Sequence, residues 1–230
     1  MVAGKSLLET DLLGALVLLV VGIVAIILVL LLLKEYMATK KPYHLAWAVS
    51  FLVLFISGVL IIFLGWEDTL ASPLVPPVAA FIPACLAIGL VFAVWPDAKY
   101  GFIYAIYCLI VIGVLTLMKL DVFLSDMASM AVMGSHIPSG LIISFLPLYT
   151  AFVSKDTEWT SAFFGIGGLL ISFGGVLLAI ATVGDGNPDL LLLIFDILPY
   201  LLLIVGVLFV LGIGLPSKWK VEIPVISGLF

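Results

Sequence analysis

The sequence predicts an all-α integral membrane protein, a seven-transmembrane-helix bundle with its amino terminus outside and its carboxyl terminus in the cytoplasm. Three observations carry this expectation. The 230 residues are 65% hydrophobic and 10% charged, with a mean hydropathy of +1.42, against roughly 45–50% apolar residues in soluble domains. Apolar stretches recur at the length of about 20 residues that crosses a hydrocarbon core, near 12–34, 44–65, 74–95, 100–118, 137–154, 160–183 and 188–214. The lysines then sort by side: Lys34, Lys40, Lys41, Lys99, Lys155, Lys218 and Lys220 fall on one face of the membrane, and Lys5 and Lys119 on the other. The lysine-rich face is cytoplasmic by the positive-inside rule. Residues 1–230 therefore read as one transmembrane domain of the plasma membrane, crossing it several times.

The first span is a Leu/Val/Ile run that is apolar all round, as expected of a helix at the edge of a bundle with much of its surface toward lipid. It is longer than the apolar core of a signal peptide and no small-residue cleavage site follows it, so it is expected to be kept. The second span starts at Tyr43 and Trp47, after the densest basic loop. All five tryptophans, Trp47, Trp66, Trp95, Trp159 and Trp219, fall at expected span ends, as a headgroup-level aromatic belt requires. Span three carries Pro76, Pro77 and Pro83; such a helix is kinked and is tolerated where neighbours satisfy the freed carbonyls, which predicts a central position. Residues 120–136 are too polar to cross and too apolar for a solvated loop, and are expected to form an interfacial or re-entrant segment on the outer face. Span five is short and interrupted by Pro147.

Span six carries a seam of small residues, Ser161, Gly165, Gly168, Ser172, Gly175 and Ala179, at alternating spacings of four and three. Such a seam admits a neighbouring backbone at close range where lipid supplies no hydrophobic drive. Span seven, joined to it through Gly184–Pro188, is the expected neighbour.

Span seven also carries the candidate site. Asp196 lies inside an otherwise apolar run, about 10 Å below Asp189 at the helical rise, and Tyr200 follows four residues on, with Pro199 before it. An ionisable group at such a depth faces a bundle interior, a partner or a water-filled path. The functional reading is a protonatable or cation-binding carboxyl hydrogen-bonded by Tyr200. The structural reading is an Asp that locks span seven to a Ser or Thr of span six. No Lys lies in mid-span, so no buried ion pair within the chain is expected.

Other chemistry is sparse. Met127, Met130, Met133 and His136 carry soft donors suited to Cu(I), but methionines at helical spacing usually serve as adaptable apolar packing, and no metal site is predicted. His44 and His136 fall on opposite sides of the membrane, which excludes a bis-His haem held by this chain alone. Cys85 and Cys108 lie within spans and read as small apolar side chains. Nucleotide-binding fingerprints and nucleophile triads are missing. The net charge of −5 and the lack of a basic patch argue against a nucleic-acid partner.

The seven spans, outward amino end and Asp in the last helix resemble the plan of the microbial opsins. Four positions after that Asp, where those proteins hold their retinal-binding Lys, this chain has Tyr200. A retinal Schiff base through the last helix is thereby excluded, and no cofactor is expected from this chain alone. Two functions are carried forward. The first is a non-catalytic subunit of a larger membrane complex, of the respiratory or energy-transducing kind, whose partners are the bilayer and other membrane subunits or further copies. The second is a small proton- or cation-coupled transporter or channel that uses Asp196, with Thr116, Ser144, Tyr149 and Ser172 as the remaining polar groups of a path.

Overall fold

The computed structural model describes residues 6–95, 97–124, 127–153, 159–182 and 188–214. All of its elements are helices: α1 (Leu7–Thr10), α2 (Leu12–Thr39), α3 (Pro42–Ala71), α4 (Val75–Val94), α5 (Ala98–Lys119), α6 (Ala128–Val153), α7 (Ser161–Thr182) and α8 (Pro188–Gly214). Among the described residues, six helices are long and apolar enough to cross a membrane: α2, α3, α4, α5, α6 and α8. The apolar part of α7 that qualifies, Ser161–Leu177, is shorter.

Local chemistry sets the helix ends. Asp11 caps α2, its Oδ1 accepting from the Gly14 N–H at 2.9 Å. At the far end Lys40 adopts a left-handed conformation (φ 55°) and its N–H returns to Tyr36 O at 2.8 Å, after which Pro42 opens α3 at a position where no N–H is needed. Asp97 caps α5 by accepting from the Lys99 N–H at 2.9 Å. That bond, with the Lys99 ammonium 2.9 Å from Oδ2, holds the exposed Asp97 carboxyl below its ordinary pKa.

Within α3, Gly65 has φ 76° and ψ 171°, a region open essentially to glycine alone. The helix breaks where the second span was expected to end, and the short stretch after it redirects Trp66. Gly65→Ala is expected to cost about 1–3 kcal/mol; a melting temperature in detergent equal to that of the parent would contradict this.

The core forms where α2, α3, α4, α6, α7 and α8 meet, around Trp47, Phe164 and Phe209. Trp47 corrects one expectation. It is 1% exposed, so it belongs to the core and not to an interfacial belt, and its indole donates to Leu86 O at 3.1 Å. One turn along α3, Ser50 donates to Ile82 O at 2.7 Å. The two bonds fasten α3 to α4, the most buried of the spanning helices, in the central place its prolines predicted. The fit requires Gly89, where any Cβ would collide with the Trp47 indole.

A second cluster, including Ala80, Ala84, Cys108, Ile112 and Leu115, joins α4 to α5 and α6. Both cysteines are buried free thiols. The outer face of α5 leaves Phe102, Ile103, Ile106, Leu109 and Ile110 exposed.

The region between α5 and α6 differs from the expected separate segment over 120–136. Residues 128–136 are the opening turns of α6, which runs unbroken to Val153; before it, Asp121 and Leu124 take positive φ. Pro138 should interrupt such a helix, because it removes the N–H that would bond Gly134 O. The Tyr107 hydroxyl of α5 donates to that carbonyl at 2.7 Å and so replaces the missing bond.

The small-residue seam of α7 packs on α6 and not on α8 as expected. A Cβ on Gly165 would lie 2.6 Å from Leu148 Cγ and 2.8 Å from Ser144 O, and one on Gly168 would lie 2.8 Å from Ile143 O. At the head of the seam, Ser161 and Thr150 both donate to Pro147 O, at 3.2 and 2.8 Å. Further along, Ser172 Oγ is 3.5 Å from Ser144 Oγ. Gly175 stands beside open space, and the Ala179 side chain lies outside the described residues. Contact with α8 uses the flanking glycines: Gly167 against Phe209 and Gly174 against Leu201, with Gly212 of α8 against Phe164.

Candidate functional site

Helix α8 packs on α7 and α2, and its geometry decides where its carboxylate points. Ile194, Phe195, Val205 and Phe209 are buried, whereas Asp196 and Tyr200 are exposed. Both therefore lie on the perimeter of the bundle and not in its interior. They share a side of α8, as their spacing predicts, but no hydrogen bond joins them among the described residues, and none joins Asp196 to a Ser or Thr of α7.

Asp196 instead lines a cleft of about 340 Å³ with Leu7, Thr10, Asp11, Gly65, Trp66 and Glu67 among its neighbours. Every helix contribution has a local cause. The Asp11 cap ends the chain's first bend, the Gly65 break turns the end of α3, and Trp66 then stacks on Phe195 of α8 with ring centroids 5.2 Å apart and planes 2° from parallel. The cleft is open, and Asp196 stands at its edge on the perimeter of the bundle. Asp11, Glu67 and Asp196 give the cleft a negative lining, and among the described residues no Lys, Arg or His contributes to it. Asp11 and Glu67 are far from Asp196 in the sequence; their meeting with it needed the bend of α3 and had no local signal.

The other polar residues expected along a transport path do not join this cleft. Thr116 bonds the carbonyl of Ile112 in its own helix at 2.8 Å. Ser144 and Ser172 face each other between α6 and α7, and Tyr149 is exposed.

Met127, Met130 and Met133 are 41%, 56% and 49% exposed, and His136 is exposed as well. His136 Nδ1 lies 3.1 Å from Val132 O; a carbonyl only accepts, so Nδ1 carries the proton and Nε2 is left as the acceptor. Among the described residues, no group of three or more His, Cys, Asp or Glu converges as metal ligands would.

One polar line between α5 and α6 was missed from the sequence. Tyr104 Oη is 2.9 Å from Ser139 Oγ, and one turn earlier Ser135 is fully buried with no hydrogen-bond partner for its hydroxyl. The i, i+4 pair Ser135 and Ser139 was the available sign of it. Comparison with protein-family models, curated proteins and solved structures found no match to this chain.

Proposed function

We propose that this chain is a non-catalytic polytopic subunit of a larger membrane complex of the respiratory or energy-transducing kind. In this reading it spans the plasma membrane seven times, with α7 as the sixth span, the amino terminus outside and the carboxyl terminus in the cytoplasm. One observation carries the proposal: the carboxylate within the apolar helix α8 lies on the bundle perimeter, where a neighbouring subunit can meet it, and not on a path through the protein. Three interior hydroxyls support the same reading, because Ser50, Thr150 and Ser161 are engaged in bonds that hold helices together. The exposed side of α2 and the outer face of α5 offer further apolar surface for lipid or protein.

The acidic cleft favours a second reading, a small proton- or cation-coupled transporter in which Asp196 is the coupling acid and Asp11 and Glu67 gather cations at its mouth. Flux separates the two. Reconstituted alone in vesicles, the chain is expected to carry no proton or monovalent-cation current above protein-free vesicles. A sustained flux that Asp196→Asn abolishes would establish the transporter in place of the subunit.

A further inference from the structure

The acidic cleft is continuous with an unpartnered helix face. Leu193, Ile197, Tyr200, Ile204 and Val207 of α8 are all exposed and follow one another at spacings of four and three, the period with which one transmembrane helix lies along another. Asp196 belongs to both features, standing beside the outer part of the apolar stripe, between Leu193 and Ile197, and lining the cleft with Asp11 and Glu67. A carboxylate in that position is costly beneath lipid, by a few kcal/mol or more on most scales, and is relieved by a cation supplied from the covering surface. This chain has no basic residue in mid-span and no arginine at all; its Lys119 stands at the end of α5, and a second copy packed stripe to stripe would place another carboxylate beside the first.

We propose that the outward face of α8 docks a transmembrane helix of a partner subunit whose Lys or Arg, carried at the outer end of that helix, enters the cleft and pairs with Asp196. The proposal rests on the subunit reading above and specifies the chemistry of the partner. Beside the cleft the partner's apolar side chains cover Leu193, and below it Ile197, Ile204 and Val207. Within it, Trp66 and Phe195 form an apolar wall suited to a lysine stem or a guanidinium plane, and Glu67 adds negative charge at the rim.

Photo-cross-linkers placed singly at Leu193 and Ile197, with Ile106 on the outer face of α5 as the control position, test this in native membranes. The expected adducts at 193 and 197 fall on one other protein, within an apolar span of about 20 residues that bears a Lys or Arg in its outer turn. Asp196→Lys should lower their yield about tenfold or more, as like charges meet, and changing the partner's basic residue to Asp in the same cell should restore it. Adducts to lipid alone, to a second copy, or to a span without a basic residue overturn the proposal. So does an equal loss on Lys5→Ala, which would place the cleft's cation within this chain. A companion that stays with the chain but is cross-linked only at Ile106 overturns this docking face and leaves the subunit reading standing.

Discussion

Gly168→Ala lowers the stability of the bundle by about 1–3 kcal/mol, the usual cost of overpacking a tight contact, while Gly175→Ala, two steps along the same seam, leaves it unchanged or slightly raised. The contrast follows from what each new methyl would meet. At Gly168 it would lie 2.8 Å from Ile143 O and 2.9 Å from Ile143 C, and a backbone cannot swing aside as a side-chain tip can. That carbonyl also lacks its helical donor, because Pro147 has no N–H to offer it. The close approach of α7 thus falls where α6 has an unpaired acceptor, and a Cα–H contact from a glycine is one of the few groups small enough to reach it. At Gly175 no atom of the described residues lies within 4 Å, and replacing a helical glycine by alanine is favourable by roughly 0.5–1 kcal/mol on backbone grounds. Unfolding titrations in mixed micelles measure both; equal effects at the two positions would show that the α6–α7 contact is not as tight as described.

The second large effect is at the core. Trp47→Ala is expected to cost about 3–5 kcal/mol, as for other buried aromatic truncations, because the indole is almost wholly enclosed, lies 6.0 Å from the Phe164 ring and donates to Leu86 O. Gly89→Ala should be destabilising for a different reason, the collision of its methyl with that same indole. The two changes are therefore coupled. In the Trp47→Ala background Gly89→Ala should be harmless or mildly favourable, so the double variant is more stable than the sum of the single effects implies. Additive losses would mean that Gly89 is needed for something other than room for Trp47.

These two sites also show where the sequence was legible. The small-residue period of α7 announced a backbone in close contact, and such a contact exists. The period could not say whose backbone, because a glycine stripe is equally open to any neighbour; the choice fell to α6, whose Pro147 exposes a carbonyl, while α8 uses Gly167 and Gly174 on the adjoining side. Trp47 was misplaced for a similar reason. A tryptophan near a span end fits a headgroup belt, and only the non-local acceptor on Leu86 draws it into the core. The same holds for the first turns of α6, which the polarity of the sequence divides after residue 136 and a hydroxyl from another helix, that of Tyr107, helps to join. The apolar spans and the shared side of Asp196 and Tyr200 depend on local composition and helical period, and these were read directly. Whether that side faced inward or outward depends on how α8 rotates against α7 and α2, which no local pattern records.

The most direct test of the subunit reading is the mass and composition of the particle that this chain forms when it is tagged and extracted with its surrounding lipid from native membranes. The reading predicts a particle well above the 24.6 kDa of the chain itself, containing other polypeptides in fixed ratio and losing at least one of them on Asp196→Lys. A lone chain, or a particle built only from copies of it, would contradict the account.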